Sequence, residues 1–237
     1  MENYLSFQKK FQKCCVEILE ELANPEYHCP KEMQNNIKSR LSRCTIQLTE
    51  KQGNEFKSTL PQILPDTIEQ PSFTLQIQMF ENPAVFSSVC YHEICHLFSE
   101  GDWKLIPHHE QIIAKHISGI NREFCYLKGD TYHFLSDDFS TLDELINDWV
   151  ASKLYEKVQN TQYIGNGLYQ LPEFISFIDN VITFGVNCNY PKLIGLYFSN
   201  KATDIQTIFQ KIDKNYNLKN LNQYFAKILK KRNDWER

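Results

Sequence analysis

The sequence predicts an α+β protein with a small, mostly antiparallel sheet and a largely helical carboxy-terminal half. Long segments in both halves repeat apolar residues every three or four positions, which indicates helices. Two short segments, 44–49 and 73–80, instead alternate apolar and polar residues, which indicates strands with one buried face. With 237 residues, 42% of them hydrophobic, the chain can bury a substantial core. We expect one domain over 1–237, with its core at about 44–158 and a helical subdomain at about 168–237.

The segments before residue 82 predict two helices and a strand-rich stretch. The expected helices are 4–23, which ends at Asn24-Pro25, and 31–42, which opens near Pro30. One further short strand is expected near 56–60, within a stretch interrupted by glycine and prolines. The strand at 73–80 is either an interior strand or an edge strand whose free backbone groups could pair with an extended peptide.

A third helix is expected to begin at Pro83, because Asn82 can cap it and proline suits the first helical position. Gly101 can end this helix. One face of the helix carries apolar residues at spacings of four, four and three: Phe86, Cys90, Ile94 and Leu97. The helix can therefore bury one face and present its polar residues on another.

The segments after this helix predict a mixture of helices and one hairpin. We expect a helix at 107–119 and a hairpin at 122–135 that turns at Lys128-Gly129-Asp130. This hairpin is either a lid or specificity element for a site or a simple connection. A strongly apolar helix at 140–158 should be capped by Ser140 or Thr141. The carboxy-terminal helices are expected at 171–186, 191–199, 203–214 and 217–232.

Composition and charge exclude several classes of protein. The formal net charge is −4, and nothing indicates a nucleic-acid surface apart from the short basic cluster from Lys227 to Arg232, which we expect to be a solvated helix end. No apolar run is long enough to span a membrane. The amino terminus lacks the apolar core of a secretory signal, so we expect a cytoplasmic protein or one exported by a specialised machine. The eight cysteines are dispersed without C-x-x-C spacing, which favours free thiols in a reducing compartment. Cys90 and Cys95 are expected to pack rather than to bind metal.

The segment from Tyr91 to Phe98 contains the pattern H-E-x-x-H, formed by His92, Glu93 and His96. Residues four apart lie on one face of a helix, so both imidazoles can reach one ion. Neutral imidazoles are common zinc ligands, and a carboxylate beside such a site can accept a proton from a zinc-bound water. The pattern predicts one zinc ion held by His92 and His96, with Glu93 as the general base.

A catalytic zinc site with an open position needs a third protein ligand. The best candidate is Glu144, which shares one face of the 140–158 helix with Asp148. Asp102 lies six residues after His96, where some H-E-x-x-H enzymes place a ligand, but Ser99 stands where those enzymes have glycine. The remaining candidates have no recognisable spacing: Cys125, His108, His109 and His133.

The pattern H-E-x-x-H followed on a later helix by E-x-x-x-D resembles the gluzincin group of zinc metallopeptidases. The continuation of these motifs is also similar to the ImmA/IrrE-type peptidase domain. The resemblance covers about residues 73–155 and implies a zincin-like fold, with His92, His96 and Glu144 as zinc ligands. It also implies Glu93 as the general base and Asp148 as an acceptor that orients a ligand histidine. The gap between the two motifs is longer than in the ImmA-like domains, and Asp148 stands where those have asparagine.

These observations predict a zinc-dependent endopeptidase that acts on a protein or peptide, with the 73–80 strand holding the substrate extended. The eligible donors to the oxyanion are His133, Tyr132, Tyr163 and Tyr169. A non-catalytic zinc-binding regulatory or interaction module is the alternative, and so is a helical interaction protein in which the motif arises by coincidence. Retention of Glu93 argues against a purely structural zinc site, which has no use for a general base.

Overall fold

The computed structural model of the chain describes residues 2–50, 55–58, 63–64, 67–68, 72–101, 103–109, 111–128, 131–165, 171–185 and 188–235. It confirms the α+β class. The described helices are α1 (Glu2–Leu22), α2 (Lys31–Ser42), α3 (Pro83–Ser99), α4 (Ser140–Gln159), α5 (Pro172–Phe184), α6 (Tyr190–Phe198), α7 (Ala202–Ile212) and α8 (Leu218–Trp235). The described strands are β1 (Cys44–Thr49), β2 (Glu55–Ser58), β3 (Ile63–Leu64), β4 (Thr67–Ile68), β5 (Phe73–Gln78), β6 (Lys104–His108), β7 (Gln111–Ser118), β8 (Asn121–Lys128) and β9 (Thr131–Asp138).

The chain divides into two compact units. The first consists of Met1–Phe98 and Val150–Gly167, and the second consists of Ser99–Trp149 and Leu168–Arg237. Helix α4 contributes residues to both units, since the boundary falls between Trp149 and Val150. The expectation of a single domain over 1–237 stays a prediction.

The first unit contains a sheet of order β1-β5-β2, in which β1 runs parallel and β2 antiparallel to β5. Strand β5 alternates buried and half-buried residues, and Phe73, Leu75 and Ile77 face the core. Because β5 is the central strand, the suggestion that the 73–80 segment is an edge strand that holds a substrate is wrong. Its backbone groups pair with β1 along the whole strand and with β2 from Phe73 to Gln76.

The second unit contains an antiparallel meander of order β6-β7-β8-β9. The prediction of a helix at 107–119 is wrong, since this segment holds the end of β6 and the whole of β7. The β-branched residues Ile112, Ile113 and Ile117 favour a strand over a helix, and β7 is hydrogen-bonded on both sides. The apolar spacing alone did not distinguish the two structures. The 122–135 hairpin is confirmed as β8 and β9, although its turn residues 129–130 lie outside the described residues.

The carboxy-terminal helices are confirmed close to their predicted bounds. Helices α5, α7 and α8 pack through a cluster of aromatic side chains in the second unit. Phe177 makes edge contacts with Phe209 at 5.1 Å and with Phe225 at 5.8 Å between ring centroids, and Phe174 contacts Phe225 at 5.2 Å. Such pairs add stabilisation of about 0.5–1.5 kcal/mol each beyond the area that they bury.

The amino-terminal helices are also confirmed, with α2 beginning directly after Pro30. Helix α3 ends at Ser99, but Gly101, two residues later, is not among the described glycines with positive φ, so it does not end the helix as a left-handed cap. A Cβ atom at position 101 would lie 2.2 Å from the carbonyl oxygen of Ile117, so glycine is needed here for the close approach of two backbone segments.

All eight cysteines are free, as the sequence predicts. Cys90 and Cys95 are fully buried, in agreement with packing roles. Among the described helices, none combines the length and the apolar character needed to cross a membrane.

Candidate metal centre

Helix α3 begins where the sequence predicts and carries both histidines on one side. The Oδ1 of Asn82 accepts hydrogen bonds from the backbone N–H groups of Ala84 at 2.9 Å and Val85 at 3.5 Å, which caps the helix. The predicted apolar face is fully buried: Phe86, Cys90, Ile94 and Leu97. This burial fixes the rotation of α3 about its own axis and therefore the direction in which His92 and His96 point.

The two histidines point the same ring nitrogen toward a common point. The Nε2 atoms of His92 and His96 lie 3.2 Å apart, and their rings are inclined at 77°. Two nitrogen ligands of a tetrahedral zinc ion would be about 3.3 Å apart at the usual zinc–nitrogen distance. The pair is therefore already spaced as two ligands of one cation. His92 is only 6% exposed and His96 is half-buried.

Helix α4 packs on α3 within the first unit. The rings of Tyr91 on α3 and Tyr155 on α4 are in edge contact at 5.2 Å. The amino-terminal end of α4 belongs to the second unit, and there the N–H of Leu142 donates to the Oδ1 of Asn222 at 2.8 Å. Ser140 and Thr141 are helical residues, so the prediction that one of them precedes and caps the helix is wrong. The backbone N–H of Leu142 is instead capped by the side chain of Asn222, which lies 80 residues later in the sequence.

Glu144 on α4 completes a group of three possible metal ligands. One ligand atom from each of His92, His96 and Glu144 lies within 4.8 Å of the other two. Within the part of the chain that the structure describes, this is the one group of three or more histidine, cysteine, aspartate or glutamate side chains that could hold a metal ion. Comparison with protein-family models, curated proteins and solved structures finds no match. The geometry of this group therefore indicates a possible metal centre without support from a relative.

Two further predicted residues lie beside these ligands along the helices. Glu93 follows His92 and is only 7% exposed. Asp148 lies one helical turn after Glu144 and is buried. Its role as the acceptor that orients a ligand histidine stays a prediction, as does the role of Glu93 as a general base.

The other candidates for a third ligand belong to different surroundings. Cys125 is buried in a small apolar cluster with Trp103 and Ala114. His108 and His109 are exposed and contact each other, and His133 is exposed and stacks on the ring of Tyr126 at 4.9 Å. Asp102 lies outside the described residues.

The four possible oxyanion donors are only partly described. Tyr163 is buried in the first unit, where its ring contacts Tyr155 at 5.7 Å. His133 lies on β9 in the second unit. The side chain of Tyr132 and the whole of Tyr169 lie outside the described residues.

Several residues that hold α3 and α4 in place carry no sequence motif. Tyr91, next to His92, shares a hydrogen-bonded cluster with Glu17 of α1 and Gln159 of α4. The hydroxyl of Tyr91 donates to Glu17 at 3.2 Å, and the Nε2 of Gln159 donates to Glu17 at 2.7 Å and to the Tyr91 hydroxyl at 3.1 Å. Burial raises the pKa of Tyr91, so its hydroxyl stays protonated and remains a donor.

Arg40 stabilises the carboxy-terminal end of α3. Its Nη1 donates to the carbonyl oxygen of Phe98 at 2.8 Å, and the side chain is buried. A cation at this end interacts favourably with the helix dipole and satisfies one of the last carbonyl groups. The helix that carries His92 and His96 is therefore fixed at both ends, by Asn82 and by Arg40.

Asp143 fixes the start of α4 to the β7–β8 turn. Its Oδ1 accepts hydrogen bonds from the N–H groups of Ile120 at 2.8 Å and Asn121 at 3.3 Å. Gly119 in this turn has φ +55°, and a Cβ atom there would lie 2.4 Å from the same Oδ1. The only sequence signal for Asp143 is its place in the first turn of a helix, which many exposed carboxylates share.

A buried ion pair lies in the second unit. The Nε2 of His116 contacts the carboxylate of the buried Glu100, its Nδ1 lies 3.8 Å from the carboxylate of Glu123, and its ring stacks on Trp103 at 4.6 Å. Burial by itself would lower the pKa of His116, but the two carboxylates raise it to about 9. His116 is therefore a cation at neutral pH and stabilises this unit electrostatically.

Proposed function

We propose that this chain is a zinc-dependent endopeptidase in which His92, His96 and Glu144 hold one Zn²⁺ ion. The observation that carries the proposal is the convergence of these three side chains from α3 and α4, with the buried Glu93 directly beside His92. Two imidazoles and one carboxylate are a donor set that zinc uses in catalytic sites, where it keeps an open position for water.

The donor set fits zinc better than the other common metals. Calcium and magnesium prefer six or more oxygen ligands, whereas this group offers two nitrogens and a carboxylate. The separation of 3.2 Å between the two Nε2 atoms also suits a small ion with tetrahedral geometry. When bound, zinc would polarise a carbonyl group and lower the pKa of a water molecule.

The residues of the chain supply the proton transfers in this proposal. Glu93 takes a proton from the attacking water and delivers it to the leaving amine, as a general base and then a general acid. Its burial places the carboxylate in a medium of low polarity, where its interaction with a nearby cation is stronger than in water. Asp148 accepts a hydrogen bond from a ligand imidazole and so fixes the tautomer that leaves a nitrogen free for the metal.

The experiment combines metal analysis with a cleavage assay. Zinc content is measured by mass spectrometry after purification, and cleavage of a peptide library is measured on the same samples. The set comprises the wild type, Glu93→Gln, Glu144→Ala and Asp148→Asn. Glu156→Ala is the control, since Glu156 lies on α4 and is 40% exposed.

We expect one zinc ion per chain and library cleavage in the wild type and in Glu156→Ala. Glu93→Gln should keep zinc and lose cleavage by at least about a hundredfold. Glu144→Ala should lose zinc, and Asp148→Asn should bind zinc about tenfold more weakly. Zinc without cleavage in the wild type would support the regulatory module instead. Equal zinc content and equal activity in all five proteins would overturn the proposal.

A further inference from the structure

Strand β9 is an edge of the four-stranded sheet in the second unit. It pairs with β8 along one side, and no described strand pairs with its other side. All its described side chains, those of residues 133–138, are exposed. An edge strand presents a row of backbone N–H and C=O groups that an extended peptide can pair with.

The two edges of this sheet differ in how they are protected. The opposite edge, β6, has Pro107 within the strand and Lys104 at its start. Proline and lysine are residues with which natural proteins block the pairing of edge strands. Strand β9 has neither residue, and its sequence Thr-Tyr-His-Phe-Leu-Ser-Asp-Asp includes two exposed large apolar side chains, Phe134 and Leu135. Of the two described edges of this sheet, β9 is therefore the one without a proline or a lysine.

An irregularity in β9 brings two particular side chains to one face. Phe134 pairs with Cys125, whereas Ser136 pairs with Phe124, so Leu135 is an extra residue that forms a bulge. Residues directly opposite each other in a sheet share a face. Because of the bulge, Phe134 and Asp137 lie on the same face although they are three residues apart.

Phe134 ends a row of apolar side chains that crosses this face. The row runs from Leu105 through Ala114 and Cys125 to Phe134. Ala114 and Cys125 are buried, whereas Phe134 is 61% exposed. A fifth strand on β9 would continue the row and cover Phe134.

Asp137 ends a second row of side chains on the same face, and the members of this row are charged. His116 is opposite Glu123, and Glu123 is opposite Asp137. The cationic His116 already contacts the carboxylates of Glu100 and Glu123. The carboxylates of Glu123 and Asp137 lie opposite each other on β8 and β9, beside the edge of the sheet. Like charges directly opposite destabilise a sheet, and a cation on the next strand would relieve this repulsion. The neighbouring Asp138 differs, because Arg122 is opposite it.

Strand β9 leads directly into α4, which carries the proposed metal ligand Glu144, and both lie in the second unit. Asp138 is followed by Phe139 with φ +75° and then by α4, on which Glu144 lies. The hydrogen bonds from Ile120 and Asn121 to Asp143 fix this part of α4 to the sheet. We propose that the polypeptide substrate pairs with β9 as a fifth strand, with an apolar side chain beside Phe134 and a lysine or arginine opposite Asp137. This inference rests on the proposed peptidase function for the identity of the occupant.

The test uses three synthetic probes and the zinc-loaded Glu93→Gln protein, in which a bound peptide would not be cleaved. The first probe is a fluorescent nonapeptide of alternating threonine and valine with lysine at its centre. The second has glutamate at its centre, and the third is the lysine peptide with alternate backbone nitrogens methylated. Binding is measured by fluorescence anisotropy at low salt, and the contact surface is mapped by changes in backbone amide NMR shifts.

We expect the lysine peptide to bind about tenfold more tightly than the glutamate peptide and to shift the amides of residues 131–138. Asp137→Lys, added to the same protein, should reverse this preference. Asp179→Lys, which changes an exposed aspartate on α5, should leave it unchanged. The methylated peptide should not bind, because methylation removes the donors needed for strand pairing.

The inference is overturned if none of the peptides binds at millimolar concentration, if Asp137→Lys leaves the preference unchanged, or if the amide shifts fall away from β9. These results are separable from the zinc and cleavage measurements on the wild type. Library cleavage without the predicted peptide preference would reject the β9 site alone. The predicted preference in a protein that binds no zinc and cleaves nothing would reject the peptidase function and leave β9 as a binding surface for basic extended peptides.

Discussion

Gln159, the last residue of α4, donates a hydrogen bond from its Nε2 to the hydroxyl oxygen of Tyr91 on α3 at 3.1 Å. Tyr91 precedes His92, and Gln159 lies on the helix that carries Glu144. The contact therefore joins the carboxy-terminal end of α4 to α3. Neither residue belongs to the group of three possible metal ligands, but their contact fixes α3 against this half of α4.

Replacing Gln159 with leucine should weaken zinc binding without removing a ligand. The change removes two hydrogen bonds, one of them to the carboxylate of Glu17, so the free energy of unfolding should fall by about 1–3 kcal/mol. Zinc affinity, measured by competition with a chromophoric chelator, should fall several-fold. Lys157→Leu on the exposed side of α4 is the control and should change neither quantity. Unchanged zinc affinity in a destabilised Gln159→Leu protein would show that the contact does not position the ligands.

Replacing Arg40 with methionine should destabilise the helix that carries His92 and His96. The substitution removes a charged hydrogen bond to the carbonyl of Phe98, which lies in the last turn of α3. A loss of about 2–3 kcal/mol is expected from urea unfolding of the metal-free protein. Lys38→Met, an exposed change on the same helix as Arg40, should cost less than about 0.5 kcal/mol. Similar losses in the two variants would contradict a specific role for Arg40.

The stability of the protein should depend on pH through His116. Its pKa is raised from an ordinary value of 6.5 to about 9 in the folded chain. A raised folded pKa means that the folded state binds the proton more tightly. The stabilisation is fully present below about pH 6.5, decreases above it and is lost as the pH rises through about 9.

This dependence is measured by urea unfolding of the wild type and His116→Asn between pH 6 and pH 10. The difference between their free energies of unfolding should decrease with pH by at most about 3 kcal/mol. The comparison between the two proteins removes the contribution of other groups that titrate in this range. A difference that is constant with pH would show that His116 is not a buried cation.

The two cysteines of α3 should be structural and not metal ligands. Cys90 and Cys95 are fully buried, and neither belongs to the group formed with His92. Cys90→Ala and Cys95→Ala should each keep one zinc ion and lose about 1–2 kcal/mol of stability, because they leave small cavities in the core. Metal analysis and urea unfolding on the same samples check both statements. Loss of zinc from Cys95→Ala at unchanged fold would identify a thiolate ligand.

The sequence by itself determined the features that depend on residues close together in the chain. Asn82 and Pro83 specify the start of α3, and the four-residue spacing places His92 and His96 on one face of it. The backbone geometry of a single helix turn imposes both features. Glu144 was also a candidate from sequence, as a carboxylate on a second predicted helix, but only folding brings it close to His92 and His96.

Only the tertiary structure decided the features that depend on distant segments. The 107–119 segment has an apolar spacing compatible with a helix, but pairing of β7 with β6 and β8 makes it a strand. The same long-range pairing puts β5 in the centre of its sheet and leaves β9 at an edge. Gln159, Arg40 and Asp143 acquire their roles from partners 22 to 142 residues away. Hydrogen bonds and strand pairs of this kind join groups that come together only when the chain folds. Local sequence patterns therefore do not predict them.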